Sequence, residues 1–339
     1  MMSKIWFDIT NTPQVHFLTA IYDELKEDSQ YSFLFTAREF SETTALLQNK
    51  VGDNFQTIGG HYGKSYVRKL MGLMNRFRSV LFSKISYDIS ISCGSENAIW
   101  SSFIRRKKSI AFGDNDLARQ WTYGHFVNYV FFPDAIAPEV ITRQGIKREG
   151  LFLYPGYKED IYLSGFQPDS DFLKSLPFSE YVVVRPENIM ANYIRNEGAQ
   201  SITPTLLSEL VKKGYNVLYL PRYEQDKAYA NGLKNIFIPD APINGLDACY
   251  YSQAVLTGAG TFAREAACLG IPSFSFFAGS DLMAVDKKMI KENKMFFSRN
   301  PDELVQKVIK SNKNQADLSR SKQVKEIVMD RLKEVIESL

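Results

Sequence analysis

The residues of this chain best suited by type to do chemistry fall where apolar runs end. In VLTGAGTFAREAACLGIP (255–272), Gly258 and Gly260 separate a strand-like run from a helix-like one, and Arg264 and Glu265 sit side by side early in the latter. Glycine admits backbone conformations closed to other residues and lets a ligand approach the peptide planes. Ala259 and Thr261 complete the corner, Thr261 as a helix cap, and Gly270 and Pro272 end the helix. A cation in a first turn opposes the helix dipole, which favours negative charge there by about 0.3–1 kcal/mol. The mismatch disappears if a phosphate faces the N–H groups of the helix start with a guanidinium beside it. Glu265 is then placed to accept from ribose hydroxyls, and phosphate plus ribose describes a nucleotide. The plainer alternative is a solvated Arg–Glu pair beside a short glycine turn.

Arg185 and Glu187 follow another apolar run in VVVRPE, and Arg222 follows the next in PRYEQD. Three arginines after neighbouring strands suit an anion, with Tyr193 as a candidate base or sugar contact; a solvated loop arginine is the bland reading of each. In the first half, FDITNTPQVHF puts Asp8 at a strand end, Asn11 in a polar loop and His16 at a helix start. An imidazole with an ordinary pKa near 6.5 suits proton transfer at neutral pH, while a satisfied structural histidine is the alternative. Asp8 and Asp114 are the other candidate bases. In SCGSENAIW, Gly94 and Ser95 are placed to bind acceptor hydroxyls, and Glu96 either joins them or complements a helix dipole. Asn11 is grouped with these acceptor-side residues. Asp114 to Asp116, DND, match an Asp-x-Asp metal motif superficially, but both carboxylates open a helix-like LARQW and can equally cap it. No metal and no other cofactor is expected.

Positioning these residues requires alternating strands and helices. Short apolar runs at 5–9, 32–36, 88–92, 109–112 and 129–132 alternate with helix-period segments such as 16–26 and 95–105. A second series runs through 181–184, 216–220, 236–238, 255–257, 273–277 and 295–297. The pattern predicts α/β architecture with two doubly wound, Rossmann-like domains facing across a cleft, 1–160 and 161–339. The final amphipathic helix, 317–339, is free to pack back on the first domain. Ligands in such sheets sit at the carboxyl ends of strands, where the candidates fall.

The length of 339 residues suits two domains, and a net charge of +3 gives no basic excess of the kind nucleic-acid binding requires. Cys93, Cys249 and Cys268, odd in number and far apart, read as buried thiols in a reducing compartment. No signal peptide or apolar span appears, so the reading is cytoplasmic, with contact to the inner face of the cytoplasmic membrane left open. That contact would run through residues 64–84, where Lys64, Arg68, Lys69, Arg76, Arg78 and Lys84 occur with no acid and Val67, Leu70, Met71, Met74 and Phe77 recur at helical spacing. A core-facing helix with a solvated basic face fits the same pattern. RRKK at 105–108 either extends the patch or complements a helix C-terminus.

GAGTFAREAACLGIP resembles the glycine corner and following helix in the carboxy-terminal domain of GT-B glycosyltransferases and UDP-N-acetylglucosamine 2-epimerases. WFDITNTPQVHF, GDND, VVVRPE and AGTFAREAACLGIP, in that order, resemble an archaeal and bacterial family catalogued as a domain of unknown function within the GT-B clan, over nearly the whole chain. Ala259 and Phe262 depart from the glycine and methionine that the pattern leads one to look for. The resemblance implies a GT-B fold, a nucleotide-sugar donor such as a UDP-sugar held by the second domain, and no metal. The loop before His16 is similar to that of lipid-linked N-acetylglucosaminyltransferases, whose histidine lies near the acceptor. The implied activity is sugar transfer to a glycan or lipid-linked acceptor in surface polysaccharide assembly. A UDP-sugar 2-epimerase and a non-catalytic sugar-nucleotide-binding protein are the alternatives.

Overall fold

The structure, a computed structural model, describes residues 3–39, 43–60, 66–189, 200–314 and 317–338. The chain forms two compact units, Met1–Tyr162 with Lys322–Leu339, and Leu163–Ser321.

The first unit is built on seven parallel strands: β1 (Ser3–Ile9), β2 (Tyr31–Ala37), β3 (Phe55–Thr57), β4 (Ile89–Ser92), β5 (Lys108–Phe112), β6 (Tyr129–Pro133) and β7 (Leu151–Tyr154), in the order β3-β2-β1-β4-β5-β6-β7. Successive residues of β1 serve opposite faces, as a pleated strand requires. Ile5, Phe7 and Ile9 enter a core that includes Val15, Leu18 and Ile21 of the helix Thr12–Leu25 and Val324, Val328 and Leu332 of the last helix, Ser319–Glu337. Trp6 instead packs with Val80, Ile85, Tyr87 and Ala98, and Asp8 shares its side of the strand. That alternation decides the fate of Asp8, because the face it joins is covered by the helices Tyr66–Phe82 and Glu96–Ile104.

The second unit repeats the plan with six parallel strands: β8 (Val182–Arg185), β9 (Val217–Tyr219), β10 (Ile236–Phe237), β11 (Ala254–Thr257), β12 (Ser273–Ser275) and β13 (Met295–Phe297), ordered β10-β9-β8-β11-β12-β13. Val182, Val184, Leu256 and Phe274 bury against Leu206, Leu210, Leu304 and Val308 of the flanking helices. In each sheet the strand order reverses beside the first strand, between β1 and β4 and between β8 and β11. Where neighbouring crossovers run to opposite sides of the sheet a crevice opens at the strand ends, so those two switch points are the first places to look for a site.

All eleven strands expected from the sequence are present, and the fold class is the expected one. β3 and β7, the two edge strands of the first sheet, were not foreseen. LARQW does not begin a helix. Asn115 accepts from the Leu117 amide at 2.9 Å in a turn, and the helix that follows covers only Trp121–Gly124.

Candidate functional site

At the second switch point, the parallel register brings Thr257 beside Arg185, and the Gly258 amide donates to the Arg185 carbonyl at 3.0 Å. The helix Gly260–Cys268 starts here from Ala259, whose side chain offers no cap. The amides of Gly260, Thr261 and Phe262 are therefore the donors that a helix start leaves without intrahelical partners. Arg185 is half-buried, its guanidinium 5.7 Å from the Phe262 ring centroid. Arg222, one strand over, reaches back to the Pro186 carbonyl with Nε at 3.0 Å. Arg185, Arg222 and the uncapped amides thus share one corner. Glu265 is half-buried and acts with Arg185 on the Cys249 thiol, whose pKa is raised, chiefly by burial and further by Glu265, with Arg185 opposing.

Arg264 has a different fate from the one its sequence context suggested. Its side chain is 2% exposed, Nη1 pairs with Asp286 Oδ1 at 2.9 Å, and Nη2 lies 3.4 Å from Thr261 Oγ1. Asp286 opens the helix Ala284–Lys291, where an acid complements the dipole. Arg264 is the fifth residue of Gly260–Cys268, past the first turn where a cation would oppose the dipole, and its anion is part of the protein: the pair ties this helix to the start of the next and does not reach for a phosphate. Gly260 is small for the same reason, since a Cβ there would sit 3.1 Å from Arg264 Nη1. Gly258 is corrected likewise: a Cβ would lie 2.5 Å from the Glu187 Cα, so the glycine admits the chain's own backbone. Glu187 is 3% exposed and accepts from Ser201 Oγ (2.7 Å), the Ile202 amide (3.1 Å) and Thr203 Oγ1 (2.9 Å), with Arg299 Nη1 at 3.3 Å. It anchors the start of the helix Thr203–Lys212 and not a nucleotide. Tyr193 lies outside the described residues.

At the first switch point, β1 pairs Asp8 with Thr36 on one side and Ser92 on the other. Asp8 is fully buried and its carboxylate accepts four bonds: Arg76 Nη1 at 3.0 Å, Arg76 Nη2 at 2.5 Å, Thr36 Oγ1 at 2.5 Å and a short bond from Ser95 Oγ. A carboxylate has about four acceptor sites, so none is left for an acceptor proton. Burial alone would raise its pKa; the Arg76 charge and the bonds from Arg76, Ser95 and Thr36 outweigh that and hold it below the usual carboxylate value. Asp8 is therefore a hub of the fold and not a base. Ser95, 6% exposed, also accepts from the Ala98 amide at 3.4 Å as a helix cap, which takes it from the acceptor role. Gly94 has φ +71° and would place a Cβ 2.9 Å from the Tyr123 hydroxyl, so packing explains it. Glu96 is a half-buried first-turn acid. Asn11 precedes the helix Thr12–Leu25 without capping it, and its Oδ1 is buried with no hydrogen-bond partner.

His16 and Asp114 keep a chemical reading. His16 is half-buried on Tyr162, ring centroids 6.4 Å apart, and burial, then the Lys50 charge, lower its pKa below 6.5, so its imidazole is neutral at pH 7. Asp114, after β5, pairs with Lys158 Nζ at 2.8 Å, both side chains about 85% buried. Burial disfavours the Lys158 ammonium, but Asp114, Glu159 and Cys93 outweigh it and raise the pKa. Burial pushes the Cys93 thiol up to about 12, and Tyr154 at the end of β7 is buried with its hydroxyl unbonded. Nothing in the local sequence points to Lys158, Asp286 or Arg76 as partners: each pair joins residues 22 to 68 positions apart, brought together when helices and loops pack around the sheets.

Two doubly wound units with these strand orders define a GT-B-type architecture. The chain belongs to the family described as Protein of unknown function (DUF354), whose model matches residues 3–337. Uncharacterized protein MJ0665 of Methanocaldococcus jannaschii is 26% identical over 320 residues, 89% of each chain. UDP-GlcNAc 2-epimerase from Neisseria meningitidis, solved bound to UDP-GlcNAc, shares the fold at a TM-score of 0.73 with 11% identity, over 98% of this chain and 100% of that one. The glycotransferase of kitacinnamycin does so at 0.68 with 10% identity, over 100% and 99%.

Proposed function

We propose that this chain is a glycosyltransferase that moves a sugar from a nucleoside-diphosphate donor, UDP in the first instance, to a hydroxyl of a glycan or glycolipid in surface polysaccharide assembly. The observation that carries the proposal is the corner at the β8/β11 switch point, where the uncapped amides of Gly260, Thr261 and Phe262 stand beside Arg185 and Arg222. Backbone donors and guanidinium groups suit a diphosphate, on which negative charge grows as the glycosidic bond breaks; donors already in place lower that barrier without reorganising. Glu265 is assigned to the ribose. In the first unit His16, neutral at pH 7, takes the proton of the acceptor hydroxyl as its oxygen bonds to the anomeric carbon and the nucleoside diphosphate leaves. The fold shared with enzymes whose names specify UDP-GlcNAc and glycosyl transfer supports the donor class.

A second reading, epimerisation at carbon 2 of a UDP-sugar, is favoured by the buried Asp114–Lys158 pair, which sets a carboxylate and an ammonium side by side after the strand ends of the first unit. Incubation with UDP-sugars followed by NMR separates the readings. Acceptor-dependent UDP release supports transfer, an altered sugar without acceptor supports epimerisation, and binding without turnover removes both.

A further inference from the structure

We propose that the first unit docks on anionic lipid bilayers through an apolar and cationic face built from three helices, Tyr66–Phe82, Glu96–Ile104 and Trp121–Gly124. This goes beyond the nucleotide reading and does not depend on it.

At about 100° per residue, Val80 and Arg76 point inward from the first helix, Val80 into the core with Trp6 and Arg76 to Asp8. The opposite arc, about 160° wide, carries Leu70, Met71, Met74 and Phe82, all exposed and Phe82 at 77%, interleaved with exposed Arg68 and Arg78. Of the residues 64–84 singled out in the sequence, Arg76 is thus removed from the surface. Phe77 is half-buried and meets Trp100 edge to face at 5.6 Å. Lys64 and the side chains of Val67 and Lys69 lie outside what the structure describes.

The neighbouring elements extend this arc. Arg105 binds the carbonyls of Leu81, Ser83 and Ile85 at 2.5–2.8 Å, fastening the end of the second helix to the end of the first. That holds the end of one helix, with exposed Phe103 and Ile104, against the end of the other, which carries exposed Phe82 and leads into exposed Lys84. Phe103 stacks edge-on with Phe126 at 5.0 Å, and Trp100 Nε1 donates to the Thr122 carbonyl at 2.9 Å, which brings exposed Trp121 alongside. Exposed Arg106 and Lys108 follow in the chain. From residue 61 to 108 the only acids are Asp88, paired with Lys107 at 2.9 Å, and Glu96, half-buried in a helix start.

Mixed cations and large apolar groups without acids match a bilayer, where rings and methionines enter the acyl boundary while cations meet anionic headgroups. A second copy fits poorly, because two such faces would set cation against cation. No described helix is long and apolar enough to cross a membrane, so the association would be peripheral.

The test is co-sedimentation of the full chain with vesicles of phosphatidylcholine alone and with about 30% phosphatidylglycerol, with no nucleotide present. The chain should pellet with the anionic vesicles and be released by salt. Arg68→Glu with Arg78→Glu, and separately Met71→Ser with Phe82→Ser, should each weaken partitioning about tenfold or more. These side chains are exposed, so circular dichroism should show both variants folded. Failure to pellet, equal binding to neutral vesicles, unaltered binding by both variants, or a dimer in light scattering that the variants dissolve would overturn the proposal. Loss of UDP binding would leave it standing.

Discussion

The two switch points hold the same device in different places. Each has a buried Arg–Asp pair, Arg76 with Asp8 in the first unit and Arg264 with Asp286 in the second. In the first, the acid is on the strand itself and its carboxylate is saturated, so the corner between β1 and β4 is closed by its own side chains. In the second, the pair lies behind the helix start, between two helices, and leaves the amides at the front of Gly260–Cys268 uncapped. A charged residue at a strand end therefore says little by itself: whether it meets a ligand depends on which face of the sheet it joins and what covers that face. With that hub closed, the proposed chemistry of the first unit is assigned to His16, with the Asp114–Lys158 pair as the alternative.

Breaking the first hub should have the largest effect. Arg76→Ala leaves a buried, unpaired carboxylate and should cost about 3–5 kcal/mol in urea unfolding; a change below about 1 kcal/mol would show that Asp8 is not held as described. The pH dependence has a definite sign. Asp8 has a folded pKa below its unfolded one, so its stabilisation is present above the unfolded value near 4 and is lost as pH falls through the folded value. An Asp8→Asn variant should show a flatter acid limb.

The second pair sharpens the contrast. Arg264→Ala should destabilise by a similar or somewhat smaller amount, whereas Arg264→Met with Asp286→Leu should recover most of the loss, since well-packed apolar side chains commonly replace a buried pair at little cost. UDP affinity of the folded double variant should stay within about threefold of the parent. A tenfold loss with intact stability would return Arg264 to the nucleotide. Gly258→Ala should cost about 1–3 kcal/mol, because the Glu187 backbone must move, and thermal unfolding reads it directly.

The smallest stability effects and the largest functional ones belong to the residues beside the first hub. His16→Ala should change stability by less than about 1 kcal/mol and lower turnover about 10²- to 10⁴-fold. With its pKa lowered, the acid limb of kcat/KM for the parent protein, if His16 is the base, should lie below pH 6.5; a limb at or above that value would assign the proton to another group.

The fold was legible because burial on both faces of a parallel sheet writes continuous apolar runs, such as IWFDI and VVVR, that end at the strand ends. The strands not foreseen, β3 and β7, are edge strands: FQT is short and largely exposed, whereas LFLY is a short apolar run like the others, and only its half-buried residues in the folded sheet set it apart. The corners were legible as places, not as roles. Gly258, Glu187 and Arg264 were each noticed for good reason, yet each answers to a neighbour far away in sequence: Gly258 to the backbone of residue 187, Glu187 to Ser201 and Thr203, Arg264 to Asp286. Local spacing reports that a residue is unusual where it stands; only the packing of the folded elements reports which partner makes it so.

Titration of isotopically labelled protein with UDP, followed by amide NMR, tests the central claim most directly. The account predicts saturable shifts concentrated at the amides of Gly260, Thr261 and Phe262 with UDP at or below about 1 mM. Those amides standing unmoved at that concentration, while the protein remains folded, would contradict it.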